Sequence, residues 1–574
     1  MMRDWLSHRV RIEPEGDALV TAATGDAYTF ANLDALVDDL AGRLAALGVD
    51  RGAHVGAVLE PRLEYACLVH AAMRLGVTLV PMGDRLTARE LAGQIETADV
   101  STVVCGDATE AAVAEAASRV TGDAEAVTGA GTGVANGGVD DADGADAAVS
   151  VVSVDEPERD AVTHLADLRP AAVTPAEWSL DDTQLVLFTS GTTGDPKAVR
   201  LTTGNLLASA IASVFRLGFD PADRWLVTLS LHHMGGIAPV LRMPLYGMTV
   251  VLRSGFDAGP AADDLDRYDA TAVSLVPTML RRMLDRRGTL ADSLRVVLLG
   301  GAPATPELIE RCRDYSVPVY PTYGMTETAS QIATARPKEA YADPDSVGRP
   351  LFLTDVTVVG PDGTPRSPGE PGELVVDGPT VTPGYYGDPD ATATAFGEFG
   401  FHTGDVGVVE ANGALTILNR VDDRIVTGGE NVDPGEVVDV LLAHPDVREA
   451  VVVGVPDAEW GERVSAVVVP EGDSVDRDDL LGFARDRLAG FKLPKVVAVT
   501  ESLPRTVSGT VDREAVRERL SGDRGRGRPA TTAEGDVNSN GVDGDDERDA
   551  ATEPSETDAA DTDSESTADG ADAS

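Results

Sequence analysis

The sequence predicts an α/β protein with parallel sheets, followed by a small β-rich module and a compact α+β module. Helical and strand-like segments alternate as far as Gly301, which is the pattern of parallel sheets with helical crossovers. Short β-like runs separated by glycine- and proline-rich turns then extend from Val356 to Val409. A length of 574 residues allows two to four domains.

Hydrophobic spacing supports the individual elements. Between Ala31 and Leu47, leucine and valine recur every three or four residues, and Gly48 ends the predicted helix. Val55 to Leu59 and Gln184 to Ser190 are apolar runs of the length of buried strands. The β-like runs after Val356 predict a small barrel or distorted sheet, and a module of about a hundred residues follows Asp422.

Two segments lack the composition of a folded core. Between Thr121 and Val149 there is no aromatic residue, leucine or isoleucine, which predicts a solvated insertion. Beyond Pro529 the chain has 15 acidic residues and one arginine, which predicts a disordered acidic tail. We therefore expect an N-terminal domain over 1–420 with an insertion at about 121–149, a C-terminal domain over 421–520 and a tail over 521–574.

The charge is extreme. The net charge of −49 comes from 96 acidic and 47 basic residues, and it argues against nucleic-acid binding, which needs a basic face. The basic residues are arginines except for four lysines, Lys197, Lys338, Lys492 and Lys495. An acid-rich, lysine-poor chain is typical of a high-salt cytoplasm, where charges are screened over roughly 3 Å at 1 M salt. A halophilic source is the inference, and a protein that binds a partner through its acidic composition is the alternative.

The cysteines and the N-terminus indicate the cellular compartment. Cys67, Cys105 and Cys312 are few, odd in number and far apart, which argues against a disulfide framework or a zinc site. The first residues lack the apolar segment of a signal peptide, and no run approaches 18 uncharged apolar residues. The sequence therefore predicts a cytoplasmic protein without a membrane span.

A glycine-rich loop after the strand at Gln184–Ser190 predicts a phosphate site. The string LFTSGTTGDPK, Leu187 to Lys197, combines free backbone amides with hydroxyl groups and one positive charge. It is not a Walker A loop, because Ala198 rather than serine or threonine follows the lysine. The string resembles the signature loop of the acyl-adenylate-forming superfamily. The resemblance assigns the nucleotide phosphates to Thr189, Ser190, Gly191, Thr192, Thr193, Gly194 and Lys197.

Further motifs of that superfamily occur in the same order and cover roughly Thr29 to Arg513. The turn Gly300 to Pro303 resembles the one whose backbone lies against the adenine ring, with Gly301, Ala302 and Pro303 as contacts. A strand is predicted at Val317–Tyr320, and the next motif follows it. Tyr323, Gly324, Met325, Thr326 and Glu327 resemble the motif that stacks on adenine, contacts the α-phosphate through the threonine and holds Mg²⁺ through the glutamate.

The C-terminal motifs belong to the same resemblance. Asp405 of Thr403–Asp405 is implied to bind the ribose hydroxyls, and Arg420 to reach the nucleotide. Asp422 is the implied hinge for rotation of the C-terminal domain, and Thr427 to Asn431 the loop that this rotation brings to the site. The superfamily fold implied is a large N-terminal domain of two α/β subdomains plus a small β-barrel, and a small mobile α+β C-terminal domain.

One position departs from the pattern. LPRTVSGTVDR, Leu503 to Arg513, resembles a family motif in which a catalytic lysine occupies the position of Thr510. In relatives that lysine bridges the acid and the α-phosphate, and losing such a charge costs about 10² to 10³ in rate. Either adenylation is slow and the enzyme degenerate, or another cation compensates. The candidates near in sequence are Lys492, Lys495, Arg505 and Arg513.

The segment that shapes the acyl pocket in the superfamily is Leu229 to Val251. It is most similar to the o-succinylbenzoate:CoA ligases of menaquinone synthesis, on His233, Gly236 and Arg242, and Ser274–Leu280, with Thr278, is similar too. A dicarboxylate keeps one carboxylate charged, and a buried guanidinium is a suitable counter-ion. The alternatives are an internal ion pair for Arg242 and a core position for His233.

The resemblance implies an ATP-dependent acid:CoA ligase that uses Mg²⁺ and coenzyme A and forms an acyl-adenylate before the thioester. Its implied substrate is o-succinylbenzoate. The alternatives are a medium-chain or aromatic acid:CoA ligase, a nucleotide-binding regulator without turnover, and an enzyme that loads a carrier protein. The sequence leaves the oligomeric state open.

Overall fold

The computed structural model describes the chain in sections. These are residues 2–122, 149–189, 196–420, 425–427, 430–432, 434–457, 460–472, 474–485, 487–488, 490–506 and 511–522. Several predicted features lie outside them: most of the insertion, Ser190 to Gly194 of the phosphate loop, Asp422, Gly428 and Gly429, Thr510 and nearly all of the tail. Within the described part, no helix has both the length and the apolar character needed to cross a membrane.

Helices and strands alternate along most of the chain, as the hydrophobic spacing predicts. Up to Thr202 the elements are α1 (Trp5–Ile12), β1 (Asp17–Thr21), β2 (Ala27–Thr29), α2 (Phe30–Ala46), β3 (His54–Val58), α3 (Leu63–Leu75), β4 (Thr78–Pro81), α4 (Ala88–Thr97), β5 (Thr102–Cys105), α5 (Asp107–Val120), β6 (Ser150–Ser153), β7 (Thr163–His164), β8 (Thr183–Thr189) and β9 (Lys197–Thr202). From Thr203 to Pro350 they are α6 (Thr203–Leu217), β10 (Arg224–Val227), α7 (Met234–Tyr246), β11 (Thr249–Leu252), α8 (Ala258–Arg267), β12 (Ala272–Leu275), α9 (Pro277–Arg287), β13 (Val296–Leu299), α10 (Pro306–Asp314), β14 (Val319–Met325), β15 (Ser330–Thr334), α11 (Pro337–Ala342) and β16 (Arg349–Pro350). The remaining elements are β17 (Asp355–Val359), β18 (Gly372–Asp377), α12 (Pro389–Ala395), β19 (Phe396–Gly397), β20 (Gly400–Val409), β21 (Leu415–Arg420), β22 (Ile425–Thr427), β23 (Glu430–Val432), α13 (Pro434–Leu442), β24 (Val447–Asp457), β25 (Gly461–Pro470), α14 (Arg477–Arg485), β26 (Val496–Val499) and α15 (Arg513–Gly522).

The first sheet has the strand order β7-β6-β5-β3-β4-β8-β9. Its neighbours pair in parallel, except that β9 runs antiparallel to β8. Lys197 begins β9, so the predicted phosphate loop joins two antiparallel strands rather than a strand and a helix. Both ends of the loop are therefore held by ladder hydrogen bonds.

The second sheet has the order β16-β15-β14-β13-β12-β10-β11-β1-β2, and the strands from β14 to β1 pair in parallel. The strand predicted at Val317–Tyr320 is longer than expected, because β15 returns as a hairpin and pairs with β14 as far as Met325. Tyr323 and Gly324 thus lie in a strand and not after one. The loops that follow β10, β12 and β13 lie at the carboxyl edge of this sheet, where α/β proteins bind ligands.

The β-rich module is an antiparallel sheet with the order β17-β18-β20-β19, and β21 pairs with β20. The C-terminal module has the order β23-β22-β25-β24, with β26 parallel to β25. Valines on one face of β24 and β25 pack with α13 and α14, and those on the other face pack with α15. The predicted fold class is confirmed, and the boundaries at residues 420 and 520 stay predictions.

The largest core cluster joins the first two sheets through the helices between them. It includes Val55 of the first sheet, Trp225 of the second, and Phe30 and Ile237 on helices α2 and α7, all at most 1% exposed. The three cysteines are free thiols buried in the core clusters. Burial of the apolar side chains of this largest cluster is the main favourable contribution to the folding free energy of the two sheets.

A buried ionic cluster fixes α1 against α2 and α3. The Arg74 guanidinium, 1% exposed, lies 3.0 Å from Asp4 and 2.5 Å from Asp34, and it also contacts Asp38 at 2.6 Å. Burial alone would raise the pKa of Asp4, but the charge and hydrogen bond of Arg74 outweigh it and hold that pKa below its ordinary value. The arginine therefore keeps a buried carboxylate ionised.

Replacing Arg74 by leucine should lower the free energy of unfolding by about 3 to 5 kcal/mol, because the Asp4 carboxylate would stay buried without its partner. The measurement is the urea midpoint of the purified variant. Arg119→Leu is the control, since Arg119 forms an exposed pair with Glu115 on one helix and should cost about 0 to 1 kcal/mol. Equal midpoints for the two variants would contradict the role given to the cluster.

Candidate active site

The phosphate end of the site is built by the β8–β9 hairpin. Thr189 and Lys197 face each other in the last pair of the ladder, and residues 190–195 of the loop between them lie outside the described residues. The Lys197 ammonium lies 4.9 Å from the centroid of the Tyr385 ring. A cation held over an aromatic face keeps its position without being neutralised by a carboxylate.

Glu327 lies in a short 3₁₀ turn, Thr326 to Thr328, between β14 and β15. The Tyr385 hydroxyl donates a hydrogen bond of 3.2 Å to Oε1 of Glu327. Burial raises the pKa of Glu327, and this hydrogen bond and the charges of Lys197 and Arg420 oppose the rise. Among the described residues, Tyr385 is the one side chain that donates to this carboxylate, and a desolvated oxygen ligand of this kind suits Mg²⁺. Glu327 therefore fits the predicted metal site.

The backbone after this turn is strained. Ala329 has φ 52° and Ser330 has φ 127°, which are conformations that residues other than glycine rarely adopt. Gly324 faces Ser330 across the hairpin so closely that a Cβ on Gly324 would lie 1.7 Å from the Ser330 carbonyl oxygen. Such strain costs about 1 to 3 kcal/mol per residue and persists where the surroundings hold it. It places Thr326 and Glu327 at the end of the hairpin.

The residues predicted for adenosine come together near the last residues of β14, shortly before this turn. The Tyr323 hydroxyl donates to Oδ2 of Asp405 at 2.6 Å, and Arg420 lies 3.3 Å from Oδ1. Asp405 and Arg420 are opposite each other in the β20–β21 ladder. Burial raises the pKa of Asp405, while Arg420 and Tyr323 oppose the rise. The structure thus brings the three side chains together around the Asp405 carboxylate, and their contacts with the nucleotide stay predictions.

The turn Gly300 to Pro303 follows β13 at the carboxyl edge, next to β14. A Cβ on Gly300 would lie 2.6 Å from a methyl carbon of Thr322, so this position has no room for a side chain. Gly301 has φ +77°, which favours glycine. The predicted adenine contacts Gly301, Ala302 and Pro303 thus begin beside the strand that carries Tyr323.

The acyl-pocket segment includes the start of α7. His233 is the N-terminal cap residue of this helix, and a Cβ on Gly236 would lie 2.2 Å from the Ser230 carbonyl oxygen. His233 is half-buried; burial lowers its pKa, and the charge of Asp84 opposes this effect. Burial therefore favours the neutral form of this imidazole.

Arg242 lies deeper in α7 and is 3% exposed. Its Nη2 donates to Ser209 Oγ at 2.9 Å and its Nη1 to Ser213 Oγ at 3.2 Å. No carboxylate lies within 4 Å of it in the described part of the chain, so the internal ion pair considered above is not found there. A small cavity of about 10 Å³ adjoins Arg242 and is otherwise lined by apolar side chains and Ala329. Thr278 is exposed in the first turn of α9, after β12.

The four cations considered as substitutes for the lysine missing at Thr510 have different surroundings. Thr510 itself lies outside the described residues. Lys492 pairs with Glu436 at 2.7 Å, and Arg505 pairs with Glu449. Lys495 is exposed, with its ammonium 5.5 Å from the ring centroid of Trp460. Burial lowers the pKa of Arg513, and the neighbouring charges of Arg517 and Arg420 lower it further. Arg513 is thus the candidate whose charge interacts with that of Arg420.

Two residues of the site were missed by the sequence analysis. Tyr385 joins Lys197 to Glu327, but the string GYYGDP has no periodicity to tell which of its tyrosines points inward. His232 lies 4.2 Å from His233 between ring centroids, and burial lowers its pKa to about 3. The histidine doublet was the available signal for this second residue.

Comparisons with known proteins agree with this geometry. Residues 6–386 match the AMP-binding enzyme family, and residues 436–510 match the AMP-binding enzyme C-terminal domain. A 2-succinylbenzoate–CoA ligase from Geobacillus kaustophilus (strain HTA426) is 37% identical over 510 residues, which cover 88% of this chain and 96% of the relative.

Solved structures are similar over the same span. The o-succinylbenzoate CoA synthetase from Bacillus subtilis in complex with its acyl-adenylate intermediate has a TM-score of 0.78 and 31% identity, covering 92% of this chain and 99% of that one. The same enzyme in complex with ATP and magnesium ion has a TM-score of 0.77 and 32% identity, covering 91% and 99%. The motifs, the fold and these matches lead to one conclusion: the chain belongs to the AMP-binding enzyme family, whose members form acyl-adenylates.

Proposed function

We propose that this protein is an AMP-forming acid:CoA ligase that converts o-succinylbenzoate to o-succinylbenzoyl-CoA, a step of menaquinone biosynthesis. The observation that carries the substrate is Arg242, a buried guanidinium whose described partners are two serine hydroxyls. A buried cation without an internal carboxylate suits an acid that keeps a second negative charge. The 2-succinylbenzoate–CoA ligase and the two solved structures support the same substrate.

In the first half-reaction, a carboxylate oxygen of the acid attacks the α-phosphorus of ATP, and the bond to the bridging oxygen breaks to release pyrophosphate. Lys197 balances the charge of the β- and γ-phosphates, and the Thr326 hydroxyl donates to an α-phosphate oxygen. Tyr323 and Asp405 orient the adenosine, since a carboxylate can accept from both ribose hydroxyls. These side chains act mainly by placing two anions in line against their repulsion.

Glu327 is the residue that would hold Mg²⁺, which when bound neutralises phosphate charge. Its partial burial keeps competing water away, and Tyr385 fixes the carboxylate through Oε1. In the second half-reaction the thiol of coenzyme A gives up its proton to solvent, its sulfur attacks the acyl carbonyl, and AMP leaves with its phosphate oxygen. The rotation for this step is assigned to Asp422, and His233 and Gly236 line the acyl side. The proposed binding site is completed by the remaining predicted residues: Thr189 to Gly194, Gly301 to Pro303, Gly324, Arg420 and Thr278.

The composition supports a cytoplasmic protein of a halophile. The charge of −49 would make the fold self-repelling in dilute buffer, and salt screens this repulsion. The three buried free thiols are compatible with a reducing compartment. Assays should accordingly be made in concentrated KCl.

Arg242→Ala should raise the KM for o-succinylbenzoate by roughly tenfold to a hundredfold, because a charge-assisted hydrogen bond to the second carboxylate is lost. The KM for ATP should stay unchanged. Both are measured by AMP release in KCl, with benzoate and an aliphatic acid as control substrates that lack the second carboxylate. A wild-type enzyme that prefers either control acid, or a variant with an unchanged KM, would refute the substrate assignment.

Tyr385→Phe should move the acidic limb of the pH–rate profile of adenylation to higher pH. Glu327 must be ionised to hold the metal, burial already raises its pKa, and the Tyr385 hydroxyl stabilises the ionised form. Removing that donor raises the pKa further, so activity is lost earlier as the pH falls. Tyr386→Phe is the control, because the Tyr386 hydroxyl donates to Asp99 instead. Identical profiles for both variants would argue against Glu327 as the titrating group.

Arg513→Ala should slow pyrophosphate release by about 10²-fold, if Arg513 supplies the charge that Thr510 lacks. Arg505→Ala is the control, because Arg505 pairs with Glu449. Thr510→Lys should then leave the rate within a few fold. A large acceleration by Thr510→Lys, with no effect of Arg513→Ala, would show that no cation compensates.

A further inference from the structure

The hydroxyl of Ser209 connects two parts of the site that the mechanism uses separately. Its Oγ donates to the carbonyl oxygen of Ala329 at 2.6 Å and accepts from Nη2 of Arg242 at 2.9 Å. The side chain is 3% exposed on helix α6. A serine hydroxyl has one proton and a guanidinium cannot accept, so the hydrogen bonds run in one direction, from Arg242 through Ser209 to Ala329.

The carbonyl that Ser209 holds belongs to the strained backbone beside Glu327. Ala329, with φ 52°, caps the 3₁₀ turn that contains Thr326 and Glu327, and Ser330 follows with φ 127°. Conformations of this kind persist where surrounding contacts over-determine them. A buried hydrogen bond to the Ala329 carbonyl is such a contact.

The turn is anchored at two of its carbonyl groups, one on Glu327 and one two residues later. The backbone N–H of Thr382 donates to the carbonyl oxygen of Glu327 at 2.7 Å, and Ser209 holds the carbonyl of Ala329 two residues later. With both carbonyls fixed, the carboxylate of Glu327 and the hydroxyl of Thr326 have little freedom to swing. Loss of the hydrogen bond from Ser209 would leave the backbone at Ala329 free to relax.

Arg242 also contacts a second serine of helix α6, and this serine provides a comparison with Ser209. Ser213 lies one turn after Ser209, is fully buried, and accepts from Nη1 of Arg242 at 3.2 Å. In the described part of the chain, Ser213 makes no hydrogen bond to the Thr326–Ser330 backbone. The two serines therefore hold the same guanidinium, and Ser209 alone of the pair reaches the turn.

We propose that Ser209 is a positioning residue for adenylation, which ties the acid-binding guanidinium of Arg242 to the turn that carries Thr326 and Glu327. The proposal rests on the function proposed above. Because one hydrogen-bonded chain runs from the acid's counter-ion, Arg242, to the backbone two residues after Glu327, binding of the acid and binding of MgATP each change the affinity for the other.

The test compares Ser209→Ala with Ser213→Ala in the full-length protein. Both variants remove one hydroxyl from Arg242, and Ser209→Ala alone releases the Ala329 carbonyl. Calorimetric titration of ATP at a series of Mg²⁺ concentrations, without any acid, should show that Ser209→Ala needs about tenfold more Mg²⁺ for half-maximal binding. Ser213→Ala should match the wild type in this titration. Ser209→Thr, which keeps the hydroxyl, should recover most of the Mg²⁺ dependence.

Steady-state kinetics give the second readout. Ser209→Ala should lower the kcat of pyrophosphate release about tenfold, whereas Ser213→Ala should change the KM for the acid and leave kcat within twofold. An equal Mg²⁺ requirement or an equal kcat in the two variants would overturn the proposal, because Ser209 would then only hold Arg242. If the wild type binds MgATP but releases no pyrophosphate with any acid, the proposed function fails, and the calorimetric comparison still decides the role of Ser209.

Discussion

The partly buried carboxylate of Glu327 is the constraint around which the site is organised. Its surroundings desolvate it, the charges of Lys197 and Arg420 oppose the resulting rise of its pKa, and the backbone at Ala329 and Ser330, two and three residues later, adopts conformations that few residues other than glycine tolerate. Three separate parts of the chain converge to keep it there: the hairpin residue Gly324, Tyr385 between β18 and α12 of the β-rich module, and Ser209 on α6. Residues distant in sequence thus set the position of one charge, which is the requirement for electrostatic catalysis by a preorganised site.

Hydrophobic spacing and turn residues were sufficient to predict the alternating helices and strands, the β-rich module and the C-terminal α+β module. The same reasoning misplaced the end of β14, since the β15 partner that extends it to Met325 is a tertiary interaction. Motif order predicted the grouping of Tyr323, Asp405 and Arg420, which the structure brings together. It could not predict Tyr385 or Ser209, because their roles come from a contact across the fold and not from a local pattern.

Arg74 and Arg242 have structural roles in this protein, and Lys197 has a different role. Arg74 satisfies several carboxylates at once, and Arg242 holds two hydroxyls, which a planar guanidinium with five donors can do and an ammonium cannot. In the mechanism proposed above, Lys197 is the compact point charge that meets the phosphate oxygens as they move during the reaction. A chain with four lysines in all has kept one of them at the end of the phosphate loop.

The interior placement of the three thiols has a practical consequence for following the C-terminal module in solution. Burial raises the pKa of Cys67, Cys105 and Cys312 to about 12 each, so almost no reactive thiolate exists at neutral pH. Maleimide dyes would therefore react with cysteines introduced on the surface and leave the native ones untouched. A donor dye could be attached to the N-terminal α/β part and an acceptor dye to the C-terminal module of the otherwise unaltered chain. Single-molecule fluorescence could then follow the reorientation of these two parts during turnover.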